Sequence, residues 1–255
     1  MRYFFFGGKD SRDYFDFINY IHRPYMPPVE VLSVKVPNRA GAIATKKNDI
    51  GIREIKVGIT LMGLNDADLR TKVRELSQFL IYKEDQDLYF SDEVNRVYKA
   101  RFVGGGEKLE EVAAMGEGEI TFICFNPFAF SNAEKTQNSG TAQEFVLSNN
   151  GSVEAFPVFR FVPSADVPFI KIKNLTTGKT FLYNAGWSTG NPFIVDMNIN
   201  RVYLETTGVN YMKDITLDSD FWSLAIGNNT IRIETALNGT ASITSMRSTW
   251  TDRFY

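Results

Sequence analysis

Glu54-Ile-Lys-Val-Gly-Ile-Thr-Leu61 alternates polar and apolar side chains, the period of a half-buried strand. Just beyond it the period changes. Asn65-Asp-Ala-Asp-Leu-Arg-Thr-Lys-Val-Arg-Glu-Leu-Ser-Gln-Phe-Leu80 opens on a capping residue and carries acids in its first turn. Leu69, Val73, Leu76 and Leu80 then recur at helical spacing, with Phe79 beside them. The two stretches predict a strand followed by a helix over 65–80 whose aliphatic stripe docks on a sheet. Burying four such side chains is worth on the order of 6–12 kcal/mol gross, ample for that docking.

Working outward, Val97-Tyr-Lys-Ala-Arg-Phe102 and Glu119-Ile-Thr-Phe-Ile-Cys124 alternate in the same way. The second half is strand-like throughout. Turns are expected at Asn149-Asn-Gly151, Thr177-Gly178, Thr189-Gly-Asn191, Gly227-Asn-Asn229 and Asn238-Gly239. Short strands at such spacing argue a β-sandwich, so the chain reads as mainly β with one helix set into its first part.

The halves differ in chemistry. Residues 1–135 hold 19 basic and 20 acidic side chains, and residues 136–255 only 9 and 10, with Asn, Thr, Ser and Gly in place of charge. Ser131-Asn-Ala-Glu-Lys-Thr-Gln-Asn-Ser-Gly-Thr141 lies between them, polar and without periodicity, and reads as a linker or long loop. Domains are therefore expected over 1–135 and 136–255.

A net charge of −2 makes no electrostatic case for nucleic acid or an anionic membrane. The apolar run at Tyr3–Phe6 is too short for a signal peptide and no segment is long enough to span a bilayer, so synthesis in the cytosol without export is expected.

Catalytic chemistry finds few groups to use. Ile21-His-Arg-Pro-Tyr-Met-Pro-Pro-Val-Glu30 holds the chain's single histidine, His22, among prolines that lock φ and remove donors. This predicts a kinked extended arm feeding an edge strand over Val29–Val36, closed by a turn at Pro37-Asn-Arg-Ala-Gly41. Cys124, the lone cysteine, falls in a strand and reads as a small buried thiol. One histidine and one cysteine make neither a nucleophilic triad nor a transition-metal cluster. Val103-Gly-Gly-Gly-Glu107 lacks the Lys-Ser/Thr of a phosphate loop and reads as a hairpin loop. Asp214, Asp218 and Asp220 miss the spacing of a calcium loop and read as a solvated turn. The sequons beginning at Asn150, Asn174, Asn228 and Asn238 reflect Asn-rich turns. Trp187, Trp222 and Trp250 could stack on sugar rings from a sandwich face, although core packing is the plainer role for each. No catalytic, metal or cofactor site is expected.

Arg23-Pro-Tyr-Met-Pro-Pro28, Val34-Lys-Val-Pro-Asn-Arg-Ala-Gly41 and Ile50-Gly-Ile-Arg-Glu-Ile-Lys-Val57 together resemble the distal tail protein family of long-tailed bacteriophages. Arg23, Pro24, Pro28, Pro37, Arg39 and Gly41 stand at the family's signature positions, and Asn38 replaces its usual glycine, as a residue tolerant of left-handed backbone can. The order continues through Leu88-Tyr-Phe-Ser-Asp92, Tyr98-Lys-Ala-Arg-Phe102 and Phe125-Asn-Pro-Phe128. It runs on to Asn149-Asn-Gly-Ser-Val-Glu-Ala-Phe-Pro157 and Phe221-Trp-Ser-Leu-Ala-Ile-Gly-Asn-Asn-Thr-Ile231.

The resemblance implies an N-terminal β-sandwich-like domain with one inserted α-helix and a C-terminal galectin-like β-sandwich. It implies a structural virion protein of the tail tip, made in the host cytoplasm. The first domain would form a hexameric ring joining the tail tube to the tail fibre or lysin and to receptor-binding proteins, without nucleic acid or membrane insertion. The alternative from the residues alone is a soluble carbohydrate-binding module or an accessory domain of an enzyme.

Overall fold

The computed structural model describes residues 2–104, 110–112, 115–188, 190–235 and 243–255. The turn expected at Asn238-Gly239, and Gly105 to Glu107 of the glycine run, lie outside the described residues. The chain is mainly β and divides into two compact units, residues 2–132 with Tyr255, and Ala133–Phe254.

In the first unit the strands are β1 (Phe4–Phe6), β2 (Lys9–Asp10), β3 (Phe17–His22), β4 (Val29–Val34), β5 (Ile43–Ile50) and β6 (Arg53–Met62). Helix α1 (Asp66–Leu80) follows, then β7 (Gln86–Phe90), β8 (Arg96–Gly104), β9 (Glu110–Val112), β10 (Met115–Cys124) and β11 (Ala129–Ser131). The main sheet runs β2-β1-β7-β8-β10-β6-β3, with antiparallel neighbours. Its spine is β6 against β10, paired from Arg53↔Cys124 to Met62↔Met115.

Alternation along β6 sends Ile55, Val57, Ile59 and Leu61 into the core, each no more than 2% exposed. Helix α1 is capped by the Asn65 side chain, which accepts the Asp68 N–H at 2.9 Å, and it buries Leu69, Leu76, Phe79 and Leu80. Phe4 and Phe6 of β1 pack on Phe122 of β10 at centroid distances of 5.7 and 4.8 Å. On the sheet path β1 stands three strands from β10, about 14 Å apart if flat. The sheet must therefore curl over itself, which gives the sandwich-like core. The apolar run at the N-terminus is thus an inner strand.

Tyr20 stands opposite Gly58 beside a bulge in β3, and a Cβ at Gly58 would come within 2.3 Å of the Tyr20 ring. Only glycine admits the ring there, and it aims the hydroxyl at Glu119, 2.6 Å away.

The second unit contains β12 (Lys135–Asn138), β13 (Glu144–Asn149), β14 (Val158–Pro163), β15 (Ile170–Asn174) and β16 (Thr180–Tyr183). These are followed by β17 (Phe193–Asp196), β18 (Arg201–Leu204), β19 (Gly227–Glu234) and β20 (Ile243–Trp250). They form two antiparallel sheets, β12-β20-β14-β17-β18 and β13-β19-β15-β16, whose inner residues share one apolar core. Phe159 and Phe161 of β14 meet Ile231 and Ile233 of β19 in that core.

Two local expectations are corrected. The polar run 131–141 is no irregular linker, because Lys135–Asn138 is a strand paired with β20. The Lys135 ammonium lies 2.6 Å from Asp252, a carboxylate only 5% exposed, and this ion pair holds a segment that lacks an apolar period. Gly227-Asn-Asn229 likewise opens β19 instead of turning, since the buried Asn229 amide makes the turn upstream by bonding Ala225.

Candidate functional site: the proline arm and the projecting hairpin

β3 ends at His22, and the arm that follows is pinned at its first residue. The Arg23 guanidinium lies 3.3 Å from both Asp92 and Glu93 and 4.9 Å above the Phe90 ring. Pro27 is buried, and the Pro28 carbonyl accepts the Gly51 N–H at 2.8 Å, closing the base of a hairpin. Pro24, Met26 and Pro28 face His22, Glu54 and Lys56 across a groove of ≈ 510 Å³. At the far end the Arg39 N–H bonds the Val36 carbonyl, while Asn38 (φ 61°) and Gly41 (φ 81°) turn the chain. The signature residues therefore fall into two groups: Arg23, Pro24 and Pro28 at the base, Pro37, Arg39 and Gly41 at the tip.

Between base and tip, β4 and β5 pair only with each other, in register from Val29↔Ile50 to Val34↔Ile43. This corrects the expected edge strand. Proline at 27 and 28 offers no donors to the main sheet, so the chain leaves it and returns as a separate ribbon. Every residue of β4 is exposed, including Val29, Val31, Leu32 and Val34. A two-stranded ribbon is marginal in water on its own, and one with apolar side chains on both faces needs a partner. Val31-Leu32 breaks the alternation in the sequence, and the ladder shifts register there.

The other candidates go elsewhere. Cys124 is wholly buried, and burial pushes its thiol up to about 12, which withholds the thiolate at neutral pH. His22 is exposed beside the groove. The Tyr20 hydroxyl donates to Glu119, whose carboxylate also lies 3.4 Å from Lys56; the Tyr20 bond holds the Glu119 carboxyl below its ordinary range. Trp187, Trp222 and Trp250 are all at most 6% exposed, their indole N–H groups bonded to the carbonyls of Asn191, Ile172 and Ser148. None presents a free face to a sugar. Asp214 accepts the Tyr183 hydroxyl at 3.2 Å, and burial foremost, then this carboxylate, raises the phenol above its ordinary value. Asn174 is fully buried and bonded to Asn229.

Residues 9–124 match the phage tail protein RIFT-related domain, and residues 150–254 match the C-terminal domain of the siphovirus-type tail component. None of the curated protein sequences matches the chain significantly. Seven solved chains do, among them the Dit protein (gp 19.1) of phage SPP1, at 20% identity and a TM-score of 0.82 with 100% of each chain covered. That protein is described as a paradigm of the hub adsorption apparatus in phages infecting Gram-positive hosts. At this identity the likeness speaks for the fold, while the two domain matches, in this order, speak for the family. With one tail domain in each of its units, the chain belongs to the distal tail protein family of siphoviruses, structural components of the bacteriophage tail.

Proposed function

We propose that this tail protein is an assembly hub of the tail tip, a homohexameric ring that joins the tail tube to the tail fibre or lysin and to receptor-binding proteins. The observation that carries the reading is the β4–β5 ribbon, which leaves the main sheet with its valines and leucine uncovered. Ring formation then resides in the first unit, and the galectin-like sandwich hangs on the ring as scaffold. A heterologous contact closes into a ring when its rotation divides a full turn, and a proline-stiffened arm loses little entropy on docking. The hub role described for the SPP1 protein agrees with this reading. The hub has no catalytic activity of its own, and His22→Ala should leave fold and assembly unchanged.

Negative-stain microscopy of the purified chain tests the proposal: rings with a central hole are expected, and a monomer at micromolar concentration would refute it. A chain ending at Asn132 should still sediment as an oligomer, whereas Ala133–Phe254 should be monomeric. The second fragment must begin before Lys135, because β12 belongs to its sandwich.

A further inference from the structure

The ribbon of the first unit and the far end of its main sheet differ in the charges their sequences carry. The ribbon grows from the end of β6 at Arg53, and from Val34 to Lys47 it carries Lys35, Arg39, Lys46 and Lys47 with no acid. The opposite end, where Met62 pairs with Met115, is acidic. Asp66 and Asp68 open the helix there, and the ladder sets Glu110 of β9 directly opposite Glu117 of β10. Lys72, close by, is engaged with Asp16 and the Met62 carbonyl. The acidic end also exposes apolar surface, Met62 at 47% and Leu64 at 94%.

Ten residues of β6, about 30 Å, separate the base of the ribbon from the acidic end. Between copies the ribbon and the acidic end match twice, base against acid and apolar side chain against apolar side chain. We propose that the β4–β5 ribbon of one copy docks on the acidic end of the next, around Met62, Leu64 and Glu117, as the head-to-tail contact of the ring. This rests on the ring reading above and specifies which surfaces meet.

The test is charge reversal in the full-length chain, read by sedimentation and microscopy, with circular dichroism to show that each variant is folded. Lys35→Glu/Arg39→Glu and, separately, Glu110→Lys/Glu117→Lys should each raise the concentration needed for assembly by at least about tenfold. The fourfold variant restores the match and should assemble again. An equimolar mixture of the two reversed proteins should assemble too, alternating around an even-membered ring. Sodium chloride should weaken the parental assembly. Either reversal assembling like the parent, or both failing without recovery in the fourfold variant and the mixture, overturns the proposal. An assembled parent indifferent to charge overturns this contact alone, whereas a monomeric parent overturns the ring reading along with it.

Discussion

The two units contrast in how they dispose of apolar surface. The second gathers Trp187, Trp222 and Trp250 into one core and leaves apolar side chains exposed only singly, Leu217 and Ile226 among them, while its buried asparagines find partners inside. Asn229, fully buried, donates to the Ala225 and Gly227 carbonyls and accepts from the Ala225 N–H and the Asn174 amide. The first unit builds an equally dry core around Phe4, Phe79 and Phe122, yet it extends a ribbon whose Val31 is 60% exposed. On the proposed reading the second unit is the scaffold and the ribbon, whose apolar side chains adjoin one another, is the surface that meets another molecule.

The contrast breaks most sharply if the ribbon is dispensable. Replacing Val29–Ile50 by a short Gly-Ser link should abolish assembly while the far-ultraviolet spectrum of the remaining β structure persists. Sedimentation of an intact oligomer would end the distinction. In the scaffold unit, Trp222→Ala should destabilise by about 3–5 kcal/mol in a denaturant melt, because it empties a site in contact with Phe159. Lys135→Ala should cost about 1–3 kcal/mol, since it leaves Asp252 buried with its ion-pair partner gone. An unchanged melting curve would return residues 131–141 to linker status.

By contrast, Leu32→Ala on the ribbon should change the stability of the isolated subunit by no more than about 0.5 kcal/mol, yet weaken assembly. A large loss of subunit stability would show that the ribbon packs within its own chain. The smallest effect concerns Glu205, whose carboxyl is held below its ordinary value first by the Arg160 hydrogen bonds at 2.8 and 2.7 Å. The stabilisation is present above the unfolded carboxylate pKa and is lost as pH falls through the lowered folded value. The pair is largely exposed, so Glu205→Gln should remove less than about 1 kcal/mol at neutral pH and nothing in acid.

Much of this architecture is legible from the residues. The Asn65 cap, the Leu69–Leu80 stripe and the alternation of β6, β8 and β10 follow from periods that each segment carries alone. The candidate surface was legible only in part. Prolines at 24, 27 and 28 announced an arm, but an edge strand and a free ribbon have the same local pattern. Which one forms depends on what lies beside it.

What the sequence determined by itself is therefore the local periodicity: mainly β, one helix, a charged half and a polar half, a turn at Asn38 and Gly41. Tertiary structure decided the rest, because the deciding contacts join residues far apart in the chain. Lys135 finds Asp252 and becomes the anchor of a strand. Phe6 finds Phe122 and bends a sheet over itself. Among the described residues the ribbon pairs with no third strand, and a pattern of valines cannot state whether it is covered. Burial is a property of the neighbours a segment meets, and only the folded chain brings those neighbours together.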